Sequence, residues 1–114
     1  MDVFMDAEED LILARIKKHD KEAFRYLYEY YFAKMVLFAE SYLYDEEEAR
    51  DLVQDLFFHL WKHAGALQVA TSVKAYLFTS VRNRCLNVIR DRKIRDEHNN
   101  KLFEAFLRNR RRDY

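Results

Sequence analysis

Residues 73–95 read VKAYLFTSVRNRCLNVIRDRKIR, a run that sets Arg82, Arg84, Arg90, Arg92, Lys93 and Arg95 among asparagines, with Lys74, Tyr76 and Phe78 one or two turns upstream. Guanidinium and ammonium groups neutralise phosphates, asparagine amides hydrogen-bond base edges, and aromatic rings stack on unpaired bases. Together these residue types describe a nucleic-acid face. A solvated basic helix with core aromatics would use the same residues.

A second stretch, DLVQDLFFHLW at 51–61, raises a different chemistry. At ~3.6 residues per turn Leu52, Val53, Leu56 and Leu60 share one side, flanked by Phe57 and Trp61, an ordinary buried stripe. The opposite side carries Asp51, Gln54 and Asp55 with Phe58 among them, where a solvated face would show lysine or glutamate. An acidic and amide stripe around one exposed ring suits a protein partner, because interface centres favour aromatic anchors and rims carry complementary charge. The alternative is that Phe58 packs against a neighbouring helix or the tail.

Other chemistry finds little support. His59 and His63 lie four apart, a spacing that can grip a metal, yet no glutamate follows the first histidine and no third ligand is evident, so no metal is expected. No acidic pair sits in an apolar setting that would raise a pKa, no serine or cysteine has a recognisable base, and no glycine-rich phosphate loop exists. The expectation is a protein that is not an enzyme and needs no cofactor.

The elements that must position these residues follow from composition and periodicity. At 114 residues, with half of them hydrophobic and 16% aromatic, the chain should fold as one domain. One glycine and no proline leave almost no hairpin turn chemistry, so the expected fold is all-α, a compact bundle of four main helices. The first is expected from about Ala7 to Lys18, with Leu11, Ile12, Ala14 and Arg15 giving a weak pattern. Asp20 can cap a second, Lys21 to about Leu43, whose apolar residues on several sides mark it as central. Asp45 and Glu48 form a capping box for a third, which ends near His63 before AGALQVAT. Ser72 can cap the fourth, from Val73 at least to Arg95, with Val73, Leu77, Val81, Cys85 and Val88 inward and Tyr76, Thr79, Asn83, Asn87 and Arg90 on the far side. After Asp96 the polar EHNN is expected to interrupt that helix, leaving Leu102, Phe103, Phe106 and Leu107 in a last turn or two.

The formal net charge of zero hides a division. Residues 1–63 hold 8 basic and 15 acidic side chains, and residues 64–114 hold 12 basic and 5 acidic. Such asymmetry suggests a basic surface for a polyanion and an acidic surface for another partner. The lone Cys85 excludes an intramolecular disulfide and fits a reducing compartment. The acidic N-terminus is unlike a signal peptide, and no stretch is apolar for the ~20 residues that span a membrane, so a cytoplasmic protein is expected.

DEEEARDLVQDLFFHLW followed about ten residues later by AYLFTSVRNRCLNVIRDRK resembles region 2 of bacterial RNA polymerase sigma factors, in the extracytoplasmic-function group and particularly its Bacteroidetes-type members. DKEAFRYLYEYYFAKMVLFAESYL is similar to the helix that precedes those motifs, and the likeness covers roughly residues 6 to 96. It implies that residues 1–96 form the core-binding and minus-ten domain, with 97–114 a basic helical tail or the start of a linker. Asp51, Gln54, Asp55 and Phe58 become the candidate docking surface for the β′ clamp helices of core RNA polymerase. Tyr76, Arg82, Asn83, Asn87, Arg90, Arg92 and Lys93 become candidate contacts to promoter DNA opened as single strand. The segment Ala64 to Thr71 corresponds to a loop that pockets a flipped base. An anti-sigma protein is the further partner implied.

Two departures stand out. The family carries an acidic residue near the position of Asn87. A complete member also has a helix-turn-helix domain for the minus-thirty-five element, too long for the residues after 96, so the chain is expected to be either a fragment or a degenerate member, with its length and the basic ending NRRRDY favouring a fragment. The reading from another class is a helical interaction module whose basic helix meets RNA or an acidic partner.

Overall fold

The computed structural model of the chain describes residues 6–69 and 72–112. Its order is α1 (Asp6–Lys17), α2 (Lys21–Leu43), α3 (Glu46–Lys62), a single 3₁₀ turn (Ala64–Ala66) and α4 (Val73–Arg112), with no strand among the described residues. The all-helical expectation holds, and the starts of α2, α3 and α4 fall where the sequence signals put them. Asp20 Oδ1 accepts from the amides of Glu22 and Ala23 at 3.0 and 3.3 Å, Asp45 Oδ1 from Glu48 at 3.0 Å, and Ser72 Oγ from Ala75 at 3.1 Å. Each bond satisfies a first-turn donor that the helix itself leaves orphaned.

Helix ends are closed without glycine. His19 and Tyr44 take left-handed backbone at φ 59° and 55°, ending α1 and α2, and the Tyr44 amide donates to the Glu40 carbonyl at 2.8 Å. Gly65 is not at positive φ, and a methyl group there would meet only the Lys17 carbonyl oxygen at 4.0 Å. The break after α3 therefore does not depend on its glycine.

Packing centres on α2, which lies against α1, α3 and α4. Leu27, Tyr31, Met35 and Ala39 of α2 are buried with Leu52, Val53, Leu56, Phe57 and Leu60 of α3 and Val73, Leu77, Val81 and Cys85 of α4. An aromatic seam joins α2 to α3: Phe57 stands edge-on to Tyr28 at 5.1 Å and to Phe24 at 6.2 Å, and Phe24 lies 5.0 Å from Trp61. Phe38 meets Phe78 of α4 edge-on at 4.9 Å. Such pairs add to the area they bury by about 0.5–1.5 kcal/mol each. Cys85 is fully buried, and that burial pushes its thiol pKa up, which keeps the inert neutral form.

Three differences from the sequence reading have physical causes. The anchor of α1 is Ile16, fully buried, whereas Leu11 is largely exposed, because it lies on the side of the helix opposite Glu9 and Ile16. The capping box at α3 is half made: the Glu48 carboxylate reaches Arg92 of α4 instead of turning back to the Asp45 amide. The interruption expected at EHNN does not occur. Polar residues without glycine or proline do not break a helix, and α4 continues unbroken to Arg112, giving the molecule a long dimension of 74 Å against 29 and 22 Å.

One cap has a pH signature. Arg15 Nε donates to Asp20 Oδ2 at 2.7 Å, and this bond, with the amide of Ala23, lowers the Asp20 pKa below 3.8. A carboxylate whose folded pKa is depressed stabilises the fold above its unfolded value and ceases to do so as pH falls through the folded one. Asparagine also caps helices well, so Asp20→Asn isolates the charge. In thermal melts the advantage of wild type over Asp20→Asn should be full above pH 3.8 and shrink below it.

Candidate functional site

The outward side of α3 is built as its periodicity requires. Asp51, Gln54, Asp55 and Phe58 are all exposed, and Phe58 presents 61% of its surface to solvent, so it is not a core residue. Glu46 and Arg50 pair at 3.0 Å along the helix, leaving Asp51 and Asp55 without a cationic partner among the described residues. Beside this stripe Phe24, Tyr28, Phe57, Phe58 and Trp61, with Lys21 and Gln54, line an open groove of about 380 Å³. The surface is thus an apolar patch edged by negative charge. Desolvating the rings and attracting cations are separate terms, and a basic helix with an aliphatic side chain between its charges would satisfy both.

On α4 the candidate nucleic-acid residues divide into three groups. Tyr76, Asn83, Asn87 and Arg90 are seven, four and three residues apart, which places them along one stripe about four turns long. Asn83, Asn87 and Arg90 are exposed, while Tyr76 is half-buried, packed on the core at its base. Arg82 and Lys93 are exposed on the adjoining flank and have no carboxylate partner among the described residues. Lys93 borders a groove of about 650 Å³ with Tyr42, Tyr44, Ile89 and Asp96. Arg92 points the other way, half-buried in its ion pair with Glu48 at the start of α3. That contact aligns α4 with α3.

Between α3, the 3₁₀ turn and α4 lies a cleft of about 420 Å³ lined by His59, His63, Gln68, Tyr76, Ser80 and Arg84 over an apolar floor that includes Leu60 and Leu67. Its size suits one planar ring system, and its walls offer amide, imidazole, hydroxyl and guanidinium groups. Ser80 Oγ donates to the Tyr76 carbonyl at 2.8 Å, and Arg84 is half-buried with no carboxylate partner among the described residues. The cleft borders the Tyr76 stripe, so a strand lying on Asn83 and Asn87 could place one base in it. Of the segment Ala64 to Thr71, residues Ala70 and Thr71 lie outside the described residues.

The register of α4 relative to α1 is set by a contact the sequence did not disclose. Glu9 of α1 is 8% exposed, and its Oε2 accepts from the Val73 amide at 3.4 Å, placing a carboxylate at the positive end of α4. Sequence reasoning also missed Gln68 and Ser80 and weighed His59 and His63 only against a metal site, which it did not expect. The two rings stack at 6.3 Å, the Nδ1–H of His59 faces the Asp55 carbonyl at 2.9 Å, and no group of three or more His, Cys, Asp or Glu side chains suited to a metal exists among the described residues. Nor is any helix among them long and apolar enough to cross a membrane.

Comparison with known proteins gives one family and one fold. Residues 27–95 match Sigma-70 region 2, which takes in most of α2, all of α3 and the bundled part of α4. The NMR structure of an engineered region 2 of sigmaE in complex with GTAAAA has the same fold, with a TM-score of 0.65 at 19% identity, covering 83% of this chain and 97% of that one. No curated protein sequence matches the chain.

Proposed function

Because the chain belongs to the sigma-70 region 2 family, we propose that it directs transcription initiation in the cytoplasm by docking on core RNA polymerase through α3 and holding the opened minus-ten strand of a promoter on α4. The observation that carries the proposal is the separation of two exposed faces of unlike chemistry within the matched segment: Asp51, Gln54, Asp55 and Phe58 on α3, and Tyr76, Asn83, Asn87 and Arg90 on α4. The pairing of the two motifs supports placing the domain in the extracytoplasmic-function group.

In mechanistic terms the domain works by binding energy. Melted DNA exposes base faces and edges that duplex DNA hides, so a surface that binds only the exposed form shifts the equilibrium toward opening. Tyr76 supplies a ring for stacking, Asn83 and Asn87 supply paired donor and acceptor groups, and Arg82, Arg90 and Lys93 supply phosphate contacts. Arg92 can join them only by giving up Glu48. One base turned out of the strand enters the cleft between His63, Gln68 and Arg84. The acidic stripe of α3 and the aromatic groove beside it meet the β′ clamp helices, and an anti-sigma protein that covers either face would silence the domain.

The solved relative was studied with GTAAAA, so that hexamer is a direct probe. Fluorescence anisotropy should show tighter binding to single-stranded GTAAAA than to its scrambled or double-stranded forms, weakening steeply as salt rises. Asn83→Ala should lose about 1–3 kcal/mol on the preferred sequence and flatten the preference. Arg90→Ala should instead weaken all sequences alike and reduce the salt slope by about one. Equal affinity for every strand tested would remove the promoter-reading assignment.

A further inference from the structure

Beyond Arg92, α4 continues to Arg112 with its described side chains exposed from Lys93 onward. At ~1.5 Å of rise per residue, Leu102 lies roughly 15 Å past the Arg92–Glu48 ion pair and beyond Asn100, the last residue of α4 to line the groove with Tyr42 and Tyr44, and an unbroken helix cannot turn back to cover itself. Yet the overhang is not polar all round. Leu102, Phe103, Phe106 and Leu107 are 57%, 62%, 58% and 38% exposed. They continue the face that α4 buries inside the bundle: steps of three or four residues from Cys85 lead through Val88, Arg92, Asp96 and Asn99 to Phe103 and Phe106.

We propose that this stripe is a self-association surface whose occupant is the same stripe of a second copy, packed antiparallel about a two-fold axis. The first support is self-complementarity. Residues 102–107 read LFEAFL, the same in both directions apart from the central pair. A two-fold axis between Glu104 and Ala105 sets Phe103 against the partner's Phe106 and Leu102 against the partner's Leu107, and every contact occurs twice, as an isologous interface requires. Lys101 and Arg108, which that register also sets opposite each other, fall on the side of the helix away from the stripe, so their like charges do not meet.

Charge supplies the direction. Past Lys93 and Arg95 the overhang carries Asp96 and Glu97, and it closes with RNRRR at 108–112. Parallel pairing would bring two basic ends together, whereas the antiparallel register separates them and brings residue 112 of each copy opposite Glu97 of the other. Area supplies sufficiency. A phenylalanine carries roughly 150–250 Å² of surface, so two such stripes and their flanks approach the ~1,000 Å² that separates specific interfaces from incidental contacts. The association lies outside the two faces assigned above and does not rest on that assignment.

Sedimentation and light scattering of the whole chain across the micromolar range test it. The mass should rise with concentration toward twice 14.0 kDa. Phe103→Glu with Phe106→Glu should stay monomeric at every concentration while melting at the same temperature as wild type at a concentration where wild type is monomeric. Orientation is read by mixing Phe103→Cys chains with Phe106→Cys chains and oxidising them, Cys85 being buried and silent. Antiparallel pairing gives mainly the mixed disulfide. A wild-type monomer throughout the range, or homotypic disulfides in place of the mixed one, overturns the proposal.

Discussion

Truncation of Phe57 to alanine should lower the unfolding free energy by about 3–5 kcal/mol, whereas truncation of Phe58, its neighbour in sequence, should leave it within about 0.5 kcal/mol. Phe57 is 1% exposed and stands edge-on to Phe24 and Tyr28, so its loss opens a cavity along the α2–α3 seam and forfeits ring contacts that the rigid helices cannot close up to replace. Phe58 presents most of its ring to water. Urea titrations of the two variants, compared at equal m-value, measure the difference. A large loss at Phe58 would mean that the ring packs inside, and the α3 docking surface would lose its anchor.

Reversal of two charges on α3 carries the other large effect. Asp51→Lys with Asp55→Lys should weaken capture of the β′ clamp helices by about 3 kcal/mol or more, roughly 100-fold, because each attraction becomes a like-charge contact. Both positions are exposed and neither is a cap, so the fold and the anisotropy signal with GTAAAA should survive. Immobilised clamp helices from core polymerase, challenged with wild type and the reversed variant at matched salt, give the measurement. Phe58→Ala should also reduce capture, but without the salt dependence that marks the acidic pair. Equal retention of wild type and the reversed chain would detach polymerase docking from this face.

Much of the fold was legible because the signals are local. Asp20, Asp45 and Ser72 cap the helices they were expected to cap, and the inward stripes of α3 and of α4 as far as Cys85 are the buried ones. The failures share a cause as well. EHNN looked like a break because it is polar, but helix termination needs a residue that cannot propagate the helix, and none is present. With no glycine at either helix end, nothing in the sequence marked His19 and Tyr44 as the left-handed closures of α1 and α2. Glu48 looked like a capping-box partner because its spacing to Asp45 is right, yet a cation more than forty residues away competes for its carboxylate.

The candidate site divides along the same line. That Asp51, Gln54, Asp55 and Phe58 share a face, and that Tyr76, Asn83, Asn87 and Arg90 share another, follows from helical periodicity, a property of each segment by itself. The sequence alone therefore determined the chemistry of the two faces. Which arginines remain available, and that His63, Gln68 and Arg84 converge on one cleft beside Tyr76, was decided only when α3 and α4 packed across α2 and Glu9 reached the start of α4. Those contacts join residues far apart along the chain, and spacing within a single helix carries no information about them.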